Sequence, residues 1–163
     1  MTVKDAFKLQ MDTDLNILMT YISDLSDADL MVRPTKGCNH LAWQLGHLIS
    51  SEVQLLNGIC PGAAAELPAG FADGHGKSAT GVDDRSKFLS KQQYIELFNK
   101  QRAATKAALD KLPDSELDKP SPEQFRKFFP TVGAILGLIA GHPLMHAGQF
   151  AVVRRVLGKP VLI

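Results

Sequence analysis

His142 and His146 are four residues apart. On a helix that spacing puts both imidazoles on one face, one turn apart. Two imidazoles so placed can share one divalent ion, although the same spacing also arises between histidines that bind nothing. Gln149 extends the stripe by another turn, where its amide suits a bound ligand, a metal-bound water or a structural contact. A third histidine, His47, lies far upstream. His40, Gln44 and His47 fall on one stripe there, flanked by the apolar Leu41, Leu45 and Leu48. His47 therefore belongs at the edge of a core, either satisfied by a neighbour or a water, or aligned with the His142/His146 face. Three neutral imidazoles with one open position make a site suited to divalent zinc, nickel or iron. The open position binds water and lowers its pKa, or polarises a substrate thiol or carbonyl.

Other side chains are weaker candidates. His40 stands near the start of its helix, two turns from His47, and is expected at the surface or supporting a ligand from behind. His75, in Asp73-Gly-His-Gly, reads as a solvent-exposed loop histidine, with a flap over a pocket as the alternative. Glu52 follows His47 by five residues, which takes it off the ligand stripe. It could still orient a histidine or act as a base. Trp43 belongs to a core or an interface. Arg154 and Arg155 read as a solvated helix end, with a cofactor carboxylate as the alternative partner for Arg154. No residue is singled out as the catalytic acid, base or nucleophile.

The elements that must carry these residues are helical. Phe7, Met11, Leu15, Leu18, Ile22 and Leu25 recur at three- and four-residue steps. A second helix is predicted from about Asn39, as N-cap, to Asn57, with Gly58 as its stop. From Gly58 to Asp84 the chain holds Pro61, Gly62, Pro68, Gly70, Gly74, Gly76 and Gly81 and no sustained period. It reads as a long loop that can hold one short helical turn, and loops of that length are often functional. A third helix is predicted from Ser90 to Lys111, a short one at Ser121-Pro122-Glu123, and a last one from Thr131 to Leu157, stopped by Gly158 and Pro160. Pro143 directly follows His142 and is expected to kink this helix. Four long helices with one long connection predict an all-α antiparallel four-helix bundle, a single domain over residues 1–163.

Composition narrows the function classes. The chain of 163 residues is 45% hydrophobic and 21% charged, the mix of an ordinary globular domain. Its formal net charge of +1 offers no field for nucleic acid or an anionic membrane. Met1 to Gln10 lacks the apolar core of a secretory signal. The longest apolar run, Val132 to Ala140, is too short to span a bilayer. Two cysteines, Cys38 and Cys60, form no CxxC. They read as free thiols that serve as small packing residues in a reducing, cytoplasmic setting.

Two segments together resemble the DinB-like superfamily of metalloenzymes. Asn39-His-Leu-Ala-Trp-Gln-Leu-Gly-His47-Leu is similar to its second-helix signature. His142-Pro-Leu-Met-His146-Ala-Gly-Gln149, followed by Arg154-Arg155-Val-Leu-Gly158-Lys-Pro160, is similar to its fourth. The resemblance implies a bundle with an up-down-down-up connection and a metal held by His47, His142 and His146. It also implies homodimers, and relatives that transfer low-molecular-weight thiols to small electrophilic substrates or isomerise with their help. Gln149 and Arg154 are the candidate cofactor contacts. Three classes stay open at this point: a thiol-dependent transferase, a non-catalytic metal- or small-molecule-binding bundle, and a metal-free dimerisation module.

Overall fold

The computed structural model describes every residue from Met1 to Ile163. It is all-helical. Four long helices, α1 (Val3–Ile22), α2 (Leu41–Ile59), α3 (Lys91–Lys111) and α4 (Val132–Val156), carry the amphipathic segments. Their starts are chemically marked. Thr2 Oγ1 accepts from the Asp5 N–H at 3.1 Å while the Asp5 carboxylate accepts from the Thr2 N–H at 2.9 Å. Ser90 and Gln93 repeat this reciprocal cap on α3, and Thr131 caps α4.

α2 departs from expectation at both ends. Its N-cap is His40, not Asn39: His40 Nδ1 accepts from the Trp43 N–H at 3.0 Å. Gly58 does not stop the helix. It lies inside it, where the Phe125 ring packs so closely that an added Cβ would stand 2.8 Å from the ring. At the end of α4, Gly158 does adopt the left-handed conformation, φ +68°.

Side-chain bonds fix the relative directions of the helices. Lys8 bonds Asp110, Lys106 bonds Asp12 and Lys91 bonds the Ile22 carbonyl, so α1 and α3 run oppositely. Gln44 meets His146 and the His47 ring meets His142, so α2 and α4 also run oppositely. Arg154, near the end of α4, donates to the Tyr21 carbonyl at the end of α1, which makes those two parallel. Leu18, Ile22, Leu45, Leu48, Phe98 and Phe150 share one core cluster, and Met11, Leu55, Leu109, Ile135 and Ile139 share a second. α4 is the one helix long and apolar enough to cross a membrane by length and composition. Half of its most apolar stretch is buried against the other helices.

The long connection after α2 is pinned to the rest of the fold. It contains a short helix, Phe71–Gly74, and single turns at Lys77–Ala79 and Arg85–Lys87. Arg33 donates to the Cys38 and Thr80 carbonyls at 2.6 and 3.0 Å and pairs with Asp83 at 2.6 Å. The Trp43 indole N–H donates to the Gly76 carbonyl at 3.1 Å. α4 runs through Pro143 to Val156 as one helix, within a residue of the predicted bounds.

Candidate metal centre

The opposite run of α2 and α4 brings the two histidine stripes into register. His47 lies across from His142, with ring centroids 5.3 Å apart, and 5.6 Å from His146. His142 and His146 are 5.0 Å apart. One nitrogen from each ring lies within 4.8 Å of the other two. In a tetrahedral zinc site with bonds of about 2.1 Å the ligand nitrogens stand about 3.4 Å apart, so the rings must draw inward to close on a single ion.

The rings are held from behind. Gln44 Nε2 donates to the Asn39 carbonyl at 2.7 Å, which turns Gln44 Oε1 toward His146. His146 Nδ1 lies 2.7 Å from that oxygen and must carry the proton. The lone pair then resides on Nε2, the atom left for a metal. The Trp43 indole stacks on His47, with centroids 4.9 Å apart and planes 8° from parallel.

Electrostatics keep the cluster neutral. Burial, and secondarily the neighbouring His47, pushes His142 down to about 4. Burial, His142 and His47 push His146 down to about 3. Burial also lowers His47. Imidazoles that refuse protons at neutral pH are the form that binds divalent ions.

A family model of the DinB superfamily matches residues 10–150. The chain belongs to the DinB superfamily. Among solved structures, a conserved protein from Enterococcus faecalis is similar to this DinB-superfamily chain at a TM-score of 0.71. The two share 18% identity over 98% of this chain and 99% of that one, a likeness of fold alone. No match was found among curated proteins.

The remaining candidates of this DinB-superfamily member take other places. His40 is not at the surface but wholly buried, because both its ring nitrogens serve the fold: Nε2 donates to the Val82 carbonyl at 3.0 Å. His75 is not a solvent-exposed loop residue. It is buried, with Nδ1 2.7 Å from the Phe71 carbonyl and Nε2 2.7 Å from the Tyr94 hydroxyl. Burial lowers both. Arg154 is no solvated helix end and has no donors facing a cofactor. It is fully buried, pairs with Asp24, and donates to the Pro160 and Tyr21 carbonyls at 2.7 and 2.8 Å. Arg155 beside it is exposed. Gln149 is half-buried one turn past His146, but the amide that meets that ring is Gln44. Glu52 lies off the ligand stripe as expected, buried and paired with Arg102 at 3.0 Å; burial raises its carboxyl and Arg102 opposes the rise. Trp43 is buried, and both cysteines are free and half-buried.

Sequence reasoning noticed Gln44 only as a member of the stripe. Its place one turn before His47, opposite an HxxxH helix, was the available signal for an amide that orients a ligand. Arg102 and Tyr94 carried no signal, since each acts through a residue distant in the chain.

Proposed function

We propose that this DinB-superfamily protein holds one divalent ion, zinc, nickel or iron, on His47, His142 and His146. In this reading the ion serves thiol-dependent transfer to a small electrophilic substrate. One observation carries the metal assignment: three neutral imidazoles converge within 4.8 Å, and the only hydrogen bond to them from the chain turns a lone pair inward. The donor set fits the group, since borderline ions favour imidazole nitrogen. Bound there, the ion supplies Lewis acidity that keeps a low-molecular-weight thiol as its nucleophilic thiolate. The chain's own residues prepare this. Burial holds the rings unprotonated, Gln44 fixes the tautomer of His146, and the Trp43 indole covers one face of His47.

The same reading takes the helix directions as the up-down-down-up connection of an antiparallel four-helix bundle, supported by the cross-helix bonds of Lys8, Lys106, Lys91 and Arg154. It also takes in a homodimer and a cytoplasmic setting, the latter supported by the two free thiols. A second reading is a metal-binding protein without catalysis, which needs the same three imidazoles and no substrate cavity.

The test begins with elemental analysis of protein purified without a metal-affinity tag, where about one ion per chain is expected. No metal, and no uptake of added zinc, nickel or iron, sinks both readings. The loaded protein is then incubated with low-molecular-weight thiols and a chlorinated aromatic. Turnover that disappears in His142→Ala/His146→Ala supports the transferase. Turnover that survives rejects it, and bound metal without turnover leaves the passive binder.

A further inference from the structure

Proline at position 143 has no N–H, so the Ile139 carbonyl one turn earlier loses its helical donor. Ile139 is buried, and a bare carbonyl there is costly. Arg102, reaching from α3, fills the gap: its Nη1 donates to the Ile139 carbonyl at 3.5 Å. The same guanidinium lies 3.0 Å from Glu52 Oε2 on α2 and 5.7 Å from the centre of the Phe98 ring. The Thr105 hydroxyl donates to the other Glu52 oxygen at 2.6 Å. Glu52 and Arg102 are 4% and 3% exposed, so the pair is dry. Glu52, Phe98, Ile139, Pro143 and His142 line one cleft too narrow for water, so Glu52 and His142 border the same small interior gap.

Stability is a poor explanation for this pair. Burying two charges strips both of hydration, and apolar replacements of similar volume are often neutral or stabilising. Arg102 is not even fully satisfied, since neither its Nε nor its Nη2 makes a hydrogen bond and its contact with Glu52 is an ion pair alone. The pair does something else well. Glu52 sits five residues after His47 on one ligand-bearing helix, and Ile139 sits three before His142 on the other. α3, which carries no ligand, joins them.

We infer that Arg102 and Glu52 are positioning residues for the metal centre: they fix α4 against α2 at the Pro143 gap and so set how His142 approaches His47 and His146. This rests on the metal reading above. The test measures zinc dissociation constants by chelator competition, visible spectra of the Co²⁺ form, and the thermal midpoint of the metal-free chain. In Glu52→Gln/Arg102→Met both charges are gone. The midpoint holds or rises, while zinc binds about 10–100-fold more weakly and the Co²⁺ bands shift. A purely structural pair gives the opposite: a lower midpoint with zinc affinity and Co²⁺ bands unchanged, which overturns the inference. Should the double variant fail to fold, Arg102→Lys decides. Its single ammonium keeps a charge beside Glu52 but cannot fork to the Ile139 carbonyl as well, so weaker zinc binding is expected and unchanged binding overturns the inference. Absence of uptake by the unaltered chain is a different result. It removes the metal reading and this inference with it, whereas uptake that is equal in every variant removes this inference alone.

Discussion

The five histidines divide into two groups that look alike by burial and differ in what their nitrogens do. At the loop end of α2, His40 and His75 spend all four ring nitrogens on the Trp43 N–H, the Val82 carbonyl, the Phe71 carbonyl and the Tyr94 hydroxyl. Two turns along α2, His47 and, across from it, His142 and His146 spend one, on Gln44. The first group is a set of satisfied polar residues that fasten a loop. The second is a set of unspent donors pointed at one another. Burial lowers the affinity for protons in both, so depressed titration does not separate them. Convergence of free lone pairs does.

The strongest way to break this division is to remove two of the converging rings. His142→Ala/His146→Ala leaves one imidazole, and zinc affinity should fall by at least about a thousandfold, since structural and catalytic zinc sites need three or four protein ligands. The fold should survive, because the two rings make only one hydrogen bond across the bundle, from His146 to Gln44. Metal retained by this variant, measured by elemental analysis after dialysis, would show that the ion sits elsewhere.

Gly46→Ala tests the other group. The added Cβ would stand 2.0 Å from His75 Cδ2. That ring cannot swing aside, because hydrogen bonds hold it at both nitrogens. The loop must lift off α2, at a cost of about 3 kcal/mol from overpacking and lost bonds. Denaturant melts give the number. Zinc bound per folded chain should stay at the unaltered level, because the backbone that carries His47 keeps its helical hydrogen bonds. A variant as stable as the parent would mean that the loop is not clamped at His75.

These two groups were not equally legible in the sequence. The helices were, because their apolar positions repeat at the helical period and because Ser90 and Thr131 mark the starts of the last two long ones. The pair His142/His146 was legible by spacing, and His47 joined it through the flanking residues of both segments. His75 reads from sequence as a solvent-exposed loop residue and His40 as a surface residue or a support behind a ligand, and the structure buries both. Their partners, Val82, Phe71 and Tyr94, lie in or beyond a segment with no period, and nothing in local spacing tells a satisfied loop histidine from a solvated one. Arg154 failed for the same reason: its salt-bridge partner Asp24 is on the far side of the chain. Gly58 misled because glycine ends helices by left-handed backbone and also admits a close neighbour, and only packing against Phe125 distinguishes the two.

Gln44 stands between the groups, one turn from each. Gln44→Leu keeps the volume and removes the acceptor for His146 Nδ1–H. That ring is then free to rotate or change tautomer, and zinc should bind about tenfold more weakly, roughly 1.4 kcal/mol. Competition against a chromophoric chelator checks it. Unchanged affinity would mean that packing alone orients His146 and that the one spent nitrogen of the second group is incidental.

The smallest effect sharpens the comparison by subtraction. In the unfolded chain each histidine binds a proton near its ordinary value of 6.5, whereas in the folded chain His142 is held down to about 4 and His146 to about 3. Between those values the unfolded state carries more protons, so acid favours it. The stability associated with the neutral rings is complete above 6.5 and is lost as pH falls toward 4 and then 3. His40 and His75 act in the same direction, so the metal-free parent alone does not separate the groups. The difference between the parent and His142→Ala/His146→Ala does. After allowance for solvent screening of half-buried rings, the cluster's share between pH 7 and pH 5 is about 1 kcal/mol, or roughly 2–4 °C in Tm. The parent should therefore lose that much more than the variant when both are melted in chelator at the two pH values. An equal loss would mean that water reaches the three rings as freely as in the unfolded chain. The convergence of their lone pairs would then be a surface feature, open to protons at neutral pH and a poor host for an ion.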